Sequence, residues 1–138
     1  MKIIQIVGRS NSGKTTFIKQ LIPKLKTKGH VAVIKHLGDH LYELEEGKDT
    51  TGFFDVGADI SVGIDADKSV VAIRNNSLKG ALKLLFDQGI DFTVIEGFKQ
   101  QAFPRIVIGD LETDHCVLTN PCPDEVLASL NAFEDFCP

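Results

Sequence analysis

An apolar run, Ile3, Ile4, Ile6 and Val7, leads directly into Gly8-Arg9-Ser10-Asn11-Ser12-Gly13-Lys14-Thr15, and this junction constrains the chain more than any other feature. The spacing is that of a phosphate-binding loop, which lies between a buried strand and the helix it feeds. Glycine at positions 8 and 13 lets the backbone turn tightly, with successive N–H groups aimed inward at phosphate oxygens. Lys14 then reaches β- and γ-phosphates as a point charge, and the Thr15 hydroxyl ligates Mg²⁺. Gly8, Asn11, Ser12, Gly13, Lys14 and Thr15 are thus the expected nucleotide contacts. Beyond them Phe17, Ile18, Leu21, Ile22 and Leu25 recur at helical spacing up to a stop at Gly29, so a helix N-terminus adds its dipole to the anion site. Pro23 conflicts mildly with that helix and predicts a kink far from the loop.

Length and charge narrow the class. A chain of 138 residues with 43% hydrophobic content supports one compact nucleotide-binding domain over residues 1–138. A net charge of -4 argues against a general nucleic-acid surface, which depends on clustered positive charge. No apolar run approaches the roughly 20 residues that span a bilayer, and Met1-Lys2 leads straight into the first strand, so a cytoplasmic protein is expected. Cys116, Cys122 and Cys137 are odd in number and lack paired CxxC spacing, which disfavours a disulfide frame or a structural zinc.

The remaining pattern alternates strands and helices. Val31 to Ile34 reads as a short buried strand that delivers Lys35 and His36 to a sheet edge. Gly38 to Gly57 is acidic and aperiodic, a long loop or lid with one short helix. Asp59–Ile64 and Ser69–Ile73 read as two strands around a turn, and a hairpin there would make the sheet mixed. Asn76 or Ser77 caps a helix with Leu78, Ala81, Leu82, Leu85 and Phe86 on one face, ending at Gly89. Phe92 to Ile95, Arg105 to Ile108 and Cys116 to Leu118 supply further strands, and Asp124 to Phe133 a last helix after Pro121 and Pro123. The expected architecture is an α/β three-layer sandwich of the P-loop NTPase type, with a largely parallel sheet.

Phosphoryl chemistry needs a carboxylate opposite the loop to complete the Mg²⁺ shell. Glu96 directly follows Thr93-Val94-Ile95, with Gly97 behind it, and is the expected metal-side residue beside Thr15. Lys14 and Glu96 are the expected catalytic pair. Asp91 precedes the same strand and reads as a turn or cap at the opposite end. Lys35 and His36 end the second strand and could face anionic oxygens. Lys99 and Arg105 flank Phe98, Phe103 and Pro104 as a basic and aromatic cluster, too small for a single-stranded nucleic-acid surface. No residue stands out as a general base for water, which favours tight binding with little hydrolysis. Thr119-Asn120 lies where a base-reading loop could be, but without an Asn-Lys-x-Asp sequence.

Several stretches together resemble the MobB family, small GTP-binding proteins of molybdopterin-guanine dinucleotide biosynthesis. They are Gly8 to Thr16, Val31 to His36, Gly47-Lys48-Asp49-Thr50 with Gly57-Ala58, and Val94 to Lys99 followed by Phe103-Pro104-Arg105-Ile106. The resemblance implies GTP and Mg²⁺ as cofactors, weak GTP hydrolysis at most, a homodimer, and association with the MobA-like guanylyltransferase that attaches GMP to molybdopterin. By motif position it extends phosphate binding to Thr16, metal-side function to Glu96, and ligand contact to Lys35, His36, Asp49, Lys99 and Arg105. One departure stands out: family members place arginines shortly after the Lys-Asp-Ser/Thr step, where this chain reads Thr51-Gly52-Phe53-Phe54-Asp55. The alternatives are a small-molecule kinase of the same loop class and an ATP-driven adapter. The acidic Gly38 to Gly57 segment disfavours closure over phosphates and so weighs against the kinase.

Overall fold

The computed structural model describes all 138 residues, which divide into two compact units. The first comprises Met1–His36 and Leu82–Pro138, and the second is the intervening Leu37–Ala81.

The first unit is built on five parallel strands: β1 (Lys2–Val7), β2 (Val31–Lys35), β5 (Phe92–Glu96), β6 (Arg105–Val107) and β7 (Cys116–Thr119). Their order is β2-β5-β1-β6-β7, which puts β1 at the centre. Central position explains why β1 reads as an almost continuous apolar run, since a parallel strand covered on both faces has no polar side. Ile3, Ile4, Ile6 and Val7 are fully buried. Helix α1 (Lys14–Lys26) lays Phe17, Ile18, Leu21 and Leu25 into the same core, as the sequence spacing predicts. Pro23 stands inside this helix without ending it. The closing helix is shorter than expected: α4 (Pro123–Ala128) gives way to a 3₁₀ turn at Leu130–Ala132. Val126 and Phe133 from this segment complete the core.

The second unit holds helix α2 (Asp49–Asp55) and an antiparallel hairpin of β3 (Ile60–Ile64) and β4 (Ser69–Ile73). The hairpin forms its own two-stranded sheet, so the five-stranded sheet is wholly parallel rather than mixed. Ser61, Gly63 and Ala72 are turned from solvent on one face of the hairpin, where the Ser61 hydroxyl donates to the Thr50 carbonyl at 2.7 Å. The other carries the cross-strand pairs Ile60–Ile73 and Val62–Val71 beside Ile64, all exposed. Helix α3 (Leu78–Asp87) follows, capped by the Ser77 hydroxyl, which accepts from the Gly80 amide at 3.0 Å.

Candidate functional site

Val7 ends β1 and the chain turns through Gly8–Gly13 into α1. Asn11 and Gly13 both adopt left-handed backbone, φ 60° and 98°, and Gly13 is the residue from which the helix starts. Gly8 is required for a different reason. A Cβ there would lie 2.4 Å from the Ile108 carbonyl oxygen and 2.6 Å from the Ser12 hydroxyl, so the position is selected by space. The Lys14 ammonium reaches back across the loop and donates to the carbonyls of Arg9 at 2.6 Å and Gly8 at 3.3 Å. Thr15 and Thr16 are exposed in the first turn of α1. The Ser12 hydroxyl is buried with no hydrogen-bond partner in the protein, an orphan polar group of the loop packed beside Gly8 and Gly109.

Strand register decides what stands beside this loop. Ile6 is paired with Glu96 on β5, and Glu96 with Lys35 on β2, so one row at the C-terminal sheet edge carries the loop, the carboxylate and the lysine. The Lys35 ammonium lies 3.8 Å from the Glu96 carboxylate, a loose pair whose acidic side chain is only 14% exposed. The His36 amide donates to the Glu96 carbonyl at 2.9 Å, and its ring stacks on Phe98 with centroids 4.3 Å apart. Such an edge is where parallel α/β sheets bind ligands. A divalent cation of the Mg²⁺ type takes one or two protein oxygens plus phosphate and water. A hydroxyl at Thr15 and a carboxylate at Glu96 fit that modest requirement, and the orphan Ser12 hydroxyl fits an anionic oxygen.

On the other side of β1, the turn Ile108–Asp110 after β6 packs against the loop, with Asp110 accepting from the Arg9 guanidinium at 3.1 Å. Asn120, at the end of β7, clasps this turn: its amide oxygen accepts from the Gly109 N–H at 2.6 Å and its amide nitrogen donates to the Gly109 carbonyl at 3.0 Å. Both ends of that side chain are thus committed to backbone.

Of the residues singled out from sequence, the Gly8–Thr16 loop, Glu96, Lys35 and His36 share this edge. Lys99 is exposed in the turn after Glu96. Arg105 is 3% exposed, and its guanidinium donates to the carbonyls of Lys99, Gln101 and Phe103 and to the Thr113 hydroxyl. Asp49 opens α2 in the second unit. In the 51–55 stretch the Phe54 ring lies 4.1 Å from the guanidinium of Arg74, the residue after β4, which donates to the carbonyls of Phe54 and Ala58. Asp91 is indeed a turn residue, accepting from the His30 amide at 2.7 Å. Gln5 escaped sequence reasoning, and the signal for it was a lone amide inside an apolar strand.

Comparison with known proteins identifies the family and the fold. The family model of molybdopterin guanine dinucleotide synthesis protein B matches residues 3–131. A probable molybdopterin-guanine dinucleotide biosynthesis adapter protein of Bacillus subtilis is 38% identical over 110 residues, 77% of this chain and 64% of its own length. A putative adapter protein of the same kind from Methanocaldococcus jannaschii is 34% identical over 128 residues, 86% of this chain and 54% of its own length. The chain therefore spans between half and two thirds of these two relatives. The crystal structure of Bacillus subtilis MobB superposes with a TM-score of 0.73 at 26% identity, covering 99% of this chain and all of that one. No helix is long and apolar enough to cross a membrane. By family model, sequence and fold, the chain belongs to the MobB family of molybdopterin-guanine dinucleotide biosynthesis adapter proteins.

Proposed function

We propose that this protein binds GTP with Mg²⁺ and serves as a cytoplasmic adapter for the guanylyltransferase step of molybdopterin-guanine dinucleotide synthesis, with slow hydrolysis at most. The observation that carries the reading is the loop itself: a glycine-shaped turn feeding a helix N-terminus, Lys14 across it, and an unpartnered buried Ser12 hydroxyl inside it. In this reading residues 1–138 act as one nucleotide-binding domain. Loop amides and Lys14 neutralise the β- and γ-phosphates, while Thr15 and Glu96 hold the metal, which supplies charge compensation when bound. Lys35 and His36 stand at the same sheet edge as Glu96, and Lys99 is exposed in the turn that follows it. The Arg9 guanidinium pairs with the Asp110 carboxylate at the surface, 3.1 Å away.

A second copy of the chain is the proposed cover for the exposed face of β3 and β4. A two-stranded hairpin is at best marginally stable in water, and the face of this one that carries Ile60, Val62, Ile64, Val71 and Ile73 is exposed.

The direct test is calorimetric titration with non-hydrolysable GTP and ATP analogues, each with and without Mg²⁺. Mg²⁺-dependent binding of the guanine analogue alone supports the proposal. Preference for the adenine analogue overturns it and makes a kinase or an ATP-driven adapter the next reading.

A further inference from the structure

The turn that follows Glu96 is held from below by two buried side chains, Gln5, for which the sequence suggests no role, and Arg105, for which the resemblance implies ligand contact. Gln5, in the middle of β1, is fully buried and donates from Nε2 to the carbonyls of Gly97 and Phe98, each at 2.8 Å. Its Oε1 is buried without any partner. A methionine or leucine would fill this volume with no orphan acceptor, so the two donated bonds are what the amide contributes. Arg105 performs the same task on the next stretch. Its guanidinium is buried with no carboxylate within ion-pair distance, and it binds the carbonyls of Lys99, Gln101 and Phe103 instead. Burying a cation on neutral dipoles alone, here three carbonyls and the Thr113 hydroxyl, is costly unless the geometry of those groups is what it maintains. The turn needs such support, because Gly97 and Phe98 both have positive φ, 93° and 52°, and the second is a strained value for an aromatic residue.

We propose that Gln5 and Arg105 are positioning residues that clamp the turn 97–103 by its inward carbonyls and thereby set the place of Glu96. Gln5 bonds to the two residues immediately after Glu96, so the end of β5 and the start of the turn are fixed against β1, the strand that carries the glycine-rich loop. Carboxylate and loop are therefore referenced to one strand. Arg105 extends the hold to Phe103, through a fork that a lysine cannot reproduce.

Two measurements on the full-length protein test this. The first is amide hydrogen exchange without ligand on Gln5→Met, which keeps volume but removes both donors, and Arg105→Lys, which keeps charge but removes the fork. The turn's hydrogen-bonded amides, Gly97 to the Ile6 carbonyl and Gln101 to the Phe98 carbonyl, are expected to exchange on the order of tenfold faster, Gly97 chiefly in Gln5→Met and Gln101 in both variants, with β1 and β5 amides unchanged. Thr113→Val, which removes only the outer acceptor of Arg105, gives a milder loosening of the same amides and serves if either buried variant does not fold. Unchanged exchange in the turn overturns the clamp. The second measurement rests on the nucleotide reading above: the ratio of GTP-analogue affinities with Mg²⁺ and with chelator. Gln5→Met is expected to lower that ratio about tenfold while the metal-free affinity, set by Lys14 and the loop, holds. A loosened turn with an unchanged ratio overturns the link to Glu96. Absence of nucleotide binding by the unaltered protein refutes the nucleotide reading and with it the link, while exchange alone still decides the clamp.

Discussion

Substituting Gly8 by alanine separates two reasons for which a glycine is kept. The added Cβ would sit 2.4 Å from the Ile108 carbonyl oxygen and 2.6 Å from the Ser12 hydroxyl. The serine can rotate, but the carbonyl belongs to a residue whose own N–H donates to the Val7 carbonyl at 2.9 Å, so it cannot retreat without loosening β6 from β1. Restoring an ordinary contact requires the loop and the Ile108–Asp110 turn to part by about 1 Å. Overpacking of that size costs about 1–3 kcal/mol. At about 2.1 cal/mol/K of unfolding entropy per residue, that lowers Tm by roughly 3–10 °C, readable by calorimetry or urea denaturation. Because the displaced loop would also carry Lys14 and Ser12 with it, GTP-analogue affinity should fall alongside. Gly47→Ala is the control: it has positive φ, 79°, and nothing within 4 Å of its Cβ, so only local strain of about 1 kcal/mol applies and analogue binding stays unchanged. Wild-type stability and affinity in Gly8→Ala would refute the reasoning that close packing against Ile108 shapes the loop.

Further outcomes are open to measurement. Asn120→Ala strips both hydrogen bonds from Gly109 and should cost about 1–3 kcal/mol in urea denaturation, an unchanged midpoint counting against the clasp. Lys2 donates to Asp135 at 2.8 Å and holds that carboxyl below the usual carboxylate range. A lowered folded-state pKa gives stability that is present above the unfolded value and lost as pH falls through the folded one. The Tm difference between wild type and Asp135→Asn should therefore be present at neutral pH and vanish in acid, and a difference that grows in acid would contradict the pairing. Val62→Lys places a charge within the exposed hairpin face and is expected to shift sedimentation toward monomer without lowering Tm of the first unit. An unchanged sedimentation coefficient would count against the proposed pairing of two copies through this face.

Much of the first unit was legible because its signals are local. Ile3 to Val7 and Phe92 to Ile95 are near-continuous apolar runs, as parallel strands covered on both faces must be. Helix α1 follows from period and from its glycine start, and α3 from its serine cap. The end of the chain was harder, because Asp124 to Phe133 keeps helical spacing while the hydrogen bonds switch to a tighter turn after Ala128. The hairpin was found, but its separation from the main sheet was not, since strand pairing between distant segments leaves no mark on either segment's alternation.

By itself, the sequence determined the Gly8–Thr15 loop, the strand before it, the helix after it, and Glu96 at a strand end, because each depends on spacing along a few neighbouring residues. Tertiary structure alone decided that β5 lies beside β1, so that Glu96 stands in register with Ile6. It also decided that Arg105 spends its guanidinium on carbonyls, that Gln5 reaches residues 92 and 93 positions away, and that Asn120 is committed to Gly109. The physical reason is that a side chain's partners are set by strand order and register, which crossover connections leave open until the sheet is assembled.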